Sequence, residues 1–248
     1  MKYIALVVLL FLVGCALFKP SLQSQLKPLD MTHVEGGTFM MGDVIKEEND
    51  DSLPLHEVTL PDFYIGTFEV TYRQYDAFAS ATGRKLPRDD GRGRGERAVI
   101  YVNWYDALDF CNAYGYRLPT EQEWEYAARS GGKKEIYAGT SDPDSLDHVA
   151  RHKNNSGGYT FHIGTKEPNG LGLFDMSGNV AEYIGDYYPF YKTEPDSIQY
   201  YPLDERAMRV IRGGSFNQQD NVLRTYWRVG VLAELEDHTI GFRCVESA

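Results

Sequence analysis

RLPTEQEWEYAAR, Arg117 to Arg129, is the stretch that decides the fold. Pro119 disfavours helix at the residue before it, and Thr120 is a natural N-cap. Glu123, three residues later, is placed to reach back to the Thr120 amide and complete a capping box. Trp124, Ala127 and Ala128 then form a narrow apolar face whose small residues permit close packing. These features alone specify a capped surface helix and nothing about function.

Two further helices are legible on either side of the same logic. Thr71 caps the first, with Gln74 at the capping-box position, and Tyr72, Tyr75, Phe78 and Ala79 make its buried stripe before Gly83 ends it. Asn103 caps the second, where Trp104, Ala107, Leu108 and Cys111 share a face. Elsewhere short apolar pieces alternate with Gly, Pro, Asn and Asp clusters, the pattern of short strands and long ordered loops. With eighteen Tyr, twelve Phe and three Trp, aromatic packing must replace much of what regular structure does not supply. The expected fold class is therefore α+β: irregular, with few short strands and about three helices.

The chain opens with MKYIALVVLLFLVGCALF, a secretory signal or membrane anchor to be set aside from fold reasoning. Its apolar run, Tyr3 to Phe18, is about sixteen residues and falls short of a comfortable membrane span. Leu12-Val13-Gly14-Cys15 resembles a bacterial lipobox, so residues 1–14 are expected to be a signal peptide and Cys15 the lipidated residue. An uncleaved anchor is the alternative. Residues 15–30, with Pro20 and Pro28, then form a tether, and residues 31–248 one globular domain. The implied location is the bacterial cell envelope, with the membrane as partner through the lipid. Ala16 after the cysteine, rather than Asp, favours outer-membrane sorting where two membranes exist. The formal charge of −11 argues against nucleic acid, which demands a basic surface. Arg88, Arg92, Arg94 and Arg97 do form a local basic run in RDDGRGRGER, and its glycines and acids make it a solvated surface loop. Lipidation of Cys15 leaves Cys111 and Cys244, and an even pair in an exported domain suggests a disulfide, with two buried thiols as the alternative.

Seven blocks in order resemble one family. They are VEGGTFMMGD (Val34 to Asp43), Leu55 to Phe78, VNWYDALDFCNAYG, the stretch from Arg117 to Arg129, PNGLGLFDMSGNVAEY (Pro168 to Tyr183), IRGGSF (Ile211 to Phe216) and IGFRC (Ile240 to Cys244). Together they resemble the formylglycine-generating enzyme, or sulfatase-modifying factor, family. The resemblance implies an irregular α+β domain related to C-type lectins and a bond between Cys111 and Cys244. It also implies a calcium site, with the Asp175 and Glu182 side chains and the Gly178 and Val180 main-chain oxygens as ligands. Asp175 stands where the best-known members carry asparagine. The alternative is a metal-free turn in which Asp175 and Glu182 cap amides or pair with arginine.

The family's oxidases hold copper(I) with two cysteines, a soft ligand pair that harder side chains do not replace. Counting from the GGS turn, those positions are Gln218 and Leu223, and no cysteine lies between Gly213 and Gly241. Copper is not expected. His148 and His152 have a helical metal spacing, but no HExxH pattern occurs and they read as surface residues. Glu167-Pro168-Asn169 spells a lectin sugar-binding tripeptide without its WND partner. The expected function is thus a lipid-anchored domain, without the family's copper chemistry, that binds a protein or glycan ligand through Gln218, Gln219, Asn221, Tyr226, Trp227 and Arg228. Variable proteins diversified by retroelements resemble this arrangement. The rival expectation is an oxidoreductase-type enzyme of the same superfamily using other residues: Glu182, Asp186, Tyr187, Tyr226 and Arg228.

Overall fold

In the computed structural model, residues 26–45, 50–188 and 208–248 are described. Cys15, the signal segment and all of the tether before Leu26 lie outside them. Among the described residues are nine strands and four α-helices. The chain begins with two antiparallel pairings in which β1 (Met31–Val34) joins β4 (Phe63–Gly66) and β2 (Gly37–Met41) joins β3 (His56–Leu60). The last strand, β9 (Val245–Ser247), returns to the other edge of β4, giving a sheet ordered β1-β4-β9. A third sheet, ordered β7-β6-β5-β8, comprises β5 (Ala181–Tyr187), β6 (Met208–Arg212), β7 (Arg228–Leu232) and β8 (Ile240–Gly241).

All three expected helices form, and each carries a reciprocal capping box. Helix α1 (Tyr72–Thr82) has Thr71 with Gln74, and it ends at left-handed Gly83. Helix α2 (Trp104–Tyr114) has Asn103 with Asp106, and helix α3 (Glu121–Ala128) has Thr120 with Glu123. Two corrections concern what the helices bury. On α2 the inward face runs through Ala107, Phe110, Cys111 and Tyr114, while Leu108 is only half-buried. Helix α3 is no surface helix, since Glu121, Glu123, Trp124, Glu125, Tyr126, Ala127 and Ala128 are all buried. A one-turn helix, α4 (Leu146–Val149), was not legible in the sequence.

The core has two main apolar masses. One packs α1 and α2 around Phe110, Tyr183 and Phe242; Phe110 makes ring contacts with Tyr75, Phe78, Tyr114 and Phe242. The other sets Trp124 and Tyr126 of α3 between the first strands and Ile184 and Val210 of the third sheet. Cys111 and Cys244 form a disulfide across 133 residues, fastening α2 to the segment that leads into β9.

Candidate functional site

Gln218 and Leu223, the positions that counting from the GGS turn matches to the oxidases' copper-binding cysteines, meet at that turn. Gly213 and Gly214 both have positive φ, +87° and +65°. A Cβ on Gly214 would sit 2.8 Å from Leu223 Cδ2 and 3.2 Å from Gln218 Oε1, so both side chains close over this glycine. A Cβ on Gly213 would lie 3.1 Å from the Trp124 ring, which seats the turn on α3. The converging groups are an amide and an isobutyl group. Gln218 Oε1 accepts the Ser215 amide at 2.9 Å, and Leu223 is fully buried. Neither offers the polarisable thiolate that copper(I) requires.

Beneath the turn lies a buried charge network that sequence reasoning missed. Glu125 accepts from Arg129 Nη1 at 2.8 Å, from Arg212 Nη2 at 2.5 Å and from the Gly42 amide at 2.9 Å. Glu121 is forked by Arg228 through Nε and Nη2, each at 2.7 Å, and also meets Arg212 Nη1 at 3.0 Å. Two carboxylates of α3 thus neutralise arginines from its own end and from β6 and β7. A signal was present in that charged residues occupy short apolar strands, at Arg212 and Arg228. Such residues survive burial only when paired.

This packing corrects the expected ligand surface. Tyr226 and Arg228 are each 1% exposed, so neither can meet a ligand: Tyr226 Oη accepts from Arg224, and Arg228 is spent on Glu121. Gln219 and Asn221 are exposed, and Gln218 and Trp227 half-buried. The Trp227 indole N–H is buried without an acceptor. The five residues of the rival enzymatic expectation do not converge as free groups. Glu182 is forked by Arg243, Asp186 accepts the Glu121 amide at 2.6 Å, and Tyr187 lies under the Arg209 guanidinium. His152 is buried rather than superficial, with Nε2 2.6 Å from Asp147. Asn169 is consumed by the end of α3, donating to the carbonyls of Ala127 and Ala128.

The turn from Asp175 to Glu182 brings three acids around one arginine. Glu182 accepts from Arg243 through both oxygens and from Trp124 Nε1 at 2.8 Å. Glu69, another buried group that the sequence reading passed over, binds the Asn179 side chain and the Val180 amide. Burial first, then the charges of Asp175 and Glu182, holds Glu69 well above the usual carboxylate range. Asp175 Oδ2 accepts the Gly164 amide at 2.7 Å, while Oδ1 is buried with no partner. Charge excess and that one unused oxygen suit a hard cation, but Glu182 could contribute only by sharing with Arg243. Among the described residues, no group of three or more His, Cys, Asp or Glu side chains is arranged as metal ligands.

Asp175 also carries a pH signature. Burial pushes its carboxyl up to about 6, against roughly 3.9 in an unfolded chain. The folded state therefore favours the protonated acid. That contribution is complete below about pH 4 and lost as pH rises through about 6, a loss of roughly 3 kcal/mol in chelator. Asp175→Asn should cancel this slope, so its effect on denaturation midpoint should become more stabilising between pH 4 and pH 7. Equal effects at the two pH values would contradict the assignment.

Comparison with known proteins agrees with the geometry. The family described as sulfatase-modifying factor enzyme 1-like domain matches residues 17–248. The formylglycine-generating enzyme of Streptomyces coelicolor is 30% identical over 86% of this chain and 88% of its own. The inactive C-alpha-formylglycine-generating enzyme 2 of Mus musculus is 28% identical over 98% and 92%. Serine/threonine-protein kinase Pkn1 of Chlamydia trachomatis is 32% identical over 88% of this chain, which spans only 38% of that protein. Among solved structures, Treponema denticola variable protein 1 superposes with a TM-score of 0.74 at 27% identity, covering 88% of this chain and 95% of its own. Relatives thus include one named as a formylglycine-generating enzyme and one named as inactive, and the chain belongs to the sulfatase-modifying factor enzyme 1-like domain family.

Proposed function

We propose that this protein is an exported, lipid-anchored sulfatase-modifying-factor-like domain that binds a protein or glycan ligand at the cell envelope and does not run the family's copper oxidation. The observation that carries this reading is the closure of Gln218 and Leu223 over Gly214, two positions that counting from the GGS turn matches to the oxidases' cysteines. An inactive relative aligned over nearly the whole chain supports it. The binding surface consists of Gln218, Gln219, Asn221 and Trp227, the exposed and half-buried members of the expected set. Copper(I) titration of the full chain tests the absence of oxidase chemistry. No saturable uptake should survive replacement of Cys111 and Cys244 by alanine, and a stoichiometric site that does survive would sink the reading. Metabolic labelling with palmitate should mark the wild-type chain and be lost in Cys15→Ser; equal labelling would remove the lipid anchor.

The same reading includes a structural calcium ion at the Asp175 turn, supported by the partnerless Asp175 Oδ1 and the acid excess around Arg243. Its ligands would be Asp175 and Glu182 with the carbonyls of Gly178 and Val180, and it would stabilise the native state by mass action. Calcium should raise the thermal midpoint of the wild type and not that of Asp175→Ala.

A further inference from the structure

The basic run Arg88–Arg97 is not uniformly solvated. Arg94 forks Asp76, and the exposed Arg88 lies over the Tyr101 ring. Arg97, by contrast, is 8% exposed. Its Nη2 donates to the Thr160 hydroxyl at 2.7 Å. The deeply buried Arg129, Arg212, Arg228 and Arg243 each meet a carboxylate. Among the described residues Arg97 meets none within ion-pair distance. Burial accordingly draws its guanidinium below the ordinary range. A buried cation without a carboxylate in direct contact is costly unless something supplies one.

Arg97 lines a recess of about 170 Å³ that also holds Arg92, Tyr159, Thr160, Phe216 and His238. Arg92 and Arg97 both approach the Tyr159 ring, at 4.7 and 5.5 Å from its centre, so two like charges face one small space. Two carboxylates stand at the same recess, and neither is within ion-pair distance of Arg97. Asp89 accepts the Gly91 amide, and Asp90 accepts the Tyr101 hydroxyl at 2.7 Å. We propose that this recess is a binding site for a compact oxyanion, a carboxylate or a phosphate or sulfate group, held by Arg97 with Arg92 at the rim. Guanidinium N–H groups in a partly desolvated pocket favour such oxygens through charge-assisted hydrogen bonds. The volume lies below the roughly 300 Å³ at which ligand pockets for whole small molecules begin, so the site takes a headgroup rather than a larger ligand. This inference stands apart from the surface at Gln218 to Trp227 and does not depend on it.

The test is calorimetric titration of the full chain, in detergent micelles, with phosphate and separately with acetate at constant ionic strength. Saturable binding is expected, weakened about tenfold or more in Arg97→Gln and several-fold in Arg92→Gln. Arg73→Gln, an exposed arginine that pairs with Glu96 and does not line the recess, should leave it unchanged. Tighter phosphate identifies a tetrahedral anion and tighter acetate a carboxylate; either upholds the site. If Arg97→Gln does not fold, the exposed Arg92→Gln decides alone. No saturable binding by the wild type, or wild-type affinity in every folded arginine variant, would overturn the proposal.

Discussion

Glu125→Leu should destabilise the protein by about 3–5 kcal/mol, the range for breaking a buried ion pair from one side. The carboxylate is fully buried, and its two oxygens serve Arg129, Arg212 and the Gly42 amide. Leucine fills the volume but leaves those donors without their acceptor in a medium that solvates charge poorly. Chemical denaturation should show the midpoint move with little change in slope. Adding Arg212→Met should recover part of the loss, because Glu121 keeps Arg228 when Arg212 is gone. A cost below about 1 kcal/mol for the single variant would mean the network relaxes around leucine, against the usual cost of a broken buried pair.

Loss of the disulfide should cost a similar amount for a different reason. The bond between Cys111 and Cys244 closes 133 residues. On the chain-entropy account, a loop of that length restricts the unfolded ensemble by about 4–5 kcal/mol. The double variant Cys111→Ala and Cys244→Ala should lower the denaturation midpoint accordingly, and reductant should have no further effect on it. Both cysteines are fully buried, so a small part of any loss is lost packing, which single variants measured under reducing conditions separate. A double variant as stable as the wild type would show that the cross-link adds nothing beyond packing.

What the sequence disclosed was local. A capping box spans four residues, so Thr71 with Gln74 and Thr120 with Glu123 could be read directly, and α1 begins and ends where its signals say. The aromatic stripe of α1 was legible for the same reason. Failures came where a residue's fate depends on partners far along the chain. Glu121 and Glu125 look like the solvated face of a helix until Arg212 and Arg228, 87 to 107 residues later, arrive to bury them. Arg97 looked like one more loop arginine because Thr160 and Tyr159, which enclose it, are about sixty residues distant. For the positions matched to the oxidases' cysteines, counting from Ser215 reached Gln218 and Leu223, and the turn does bring them together. In the candidate ligand surface, residue type could not separate Trp227, half in solvent, from Tyr226 and Arg228 beside it, which face inward.

The placement of the first and last strands on opposite edges of β4 has a mechanical consequence. Met31 opens β1 opposite Gly66, and Ser247 ends β9 opposite Phe63, so the two strands run antiparallel to β4 and leave it at opposite ends. Tension between the ends of the domain would slide β1 and β9 along β4 in opposite directions. Every rung of both ladders would then share the load, instead of the rungs opening one after another like a zip. Should β9 give way, the pull would pass within one residue to Cys244 and its bond with Cys111. The 133-residue loop closed by that bond would be shielded from extension, leaving only the part before α2's cysteine to stretch.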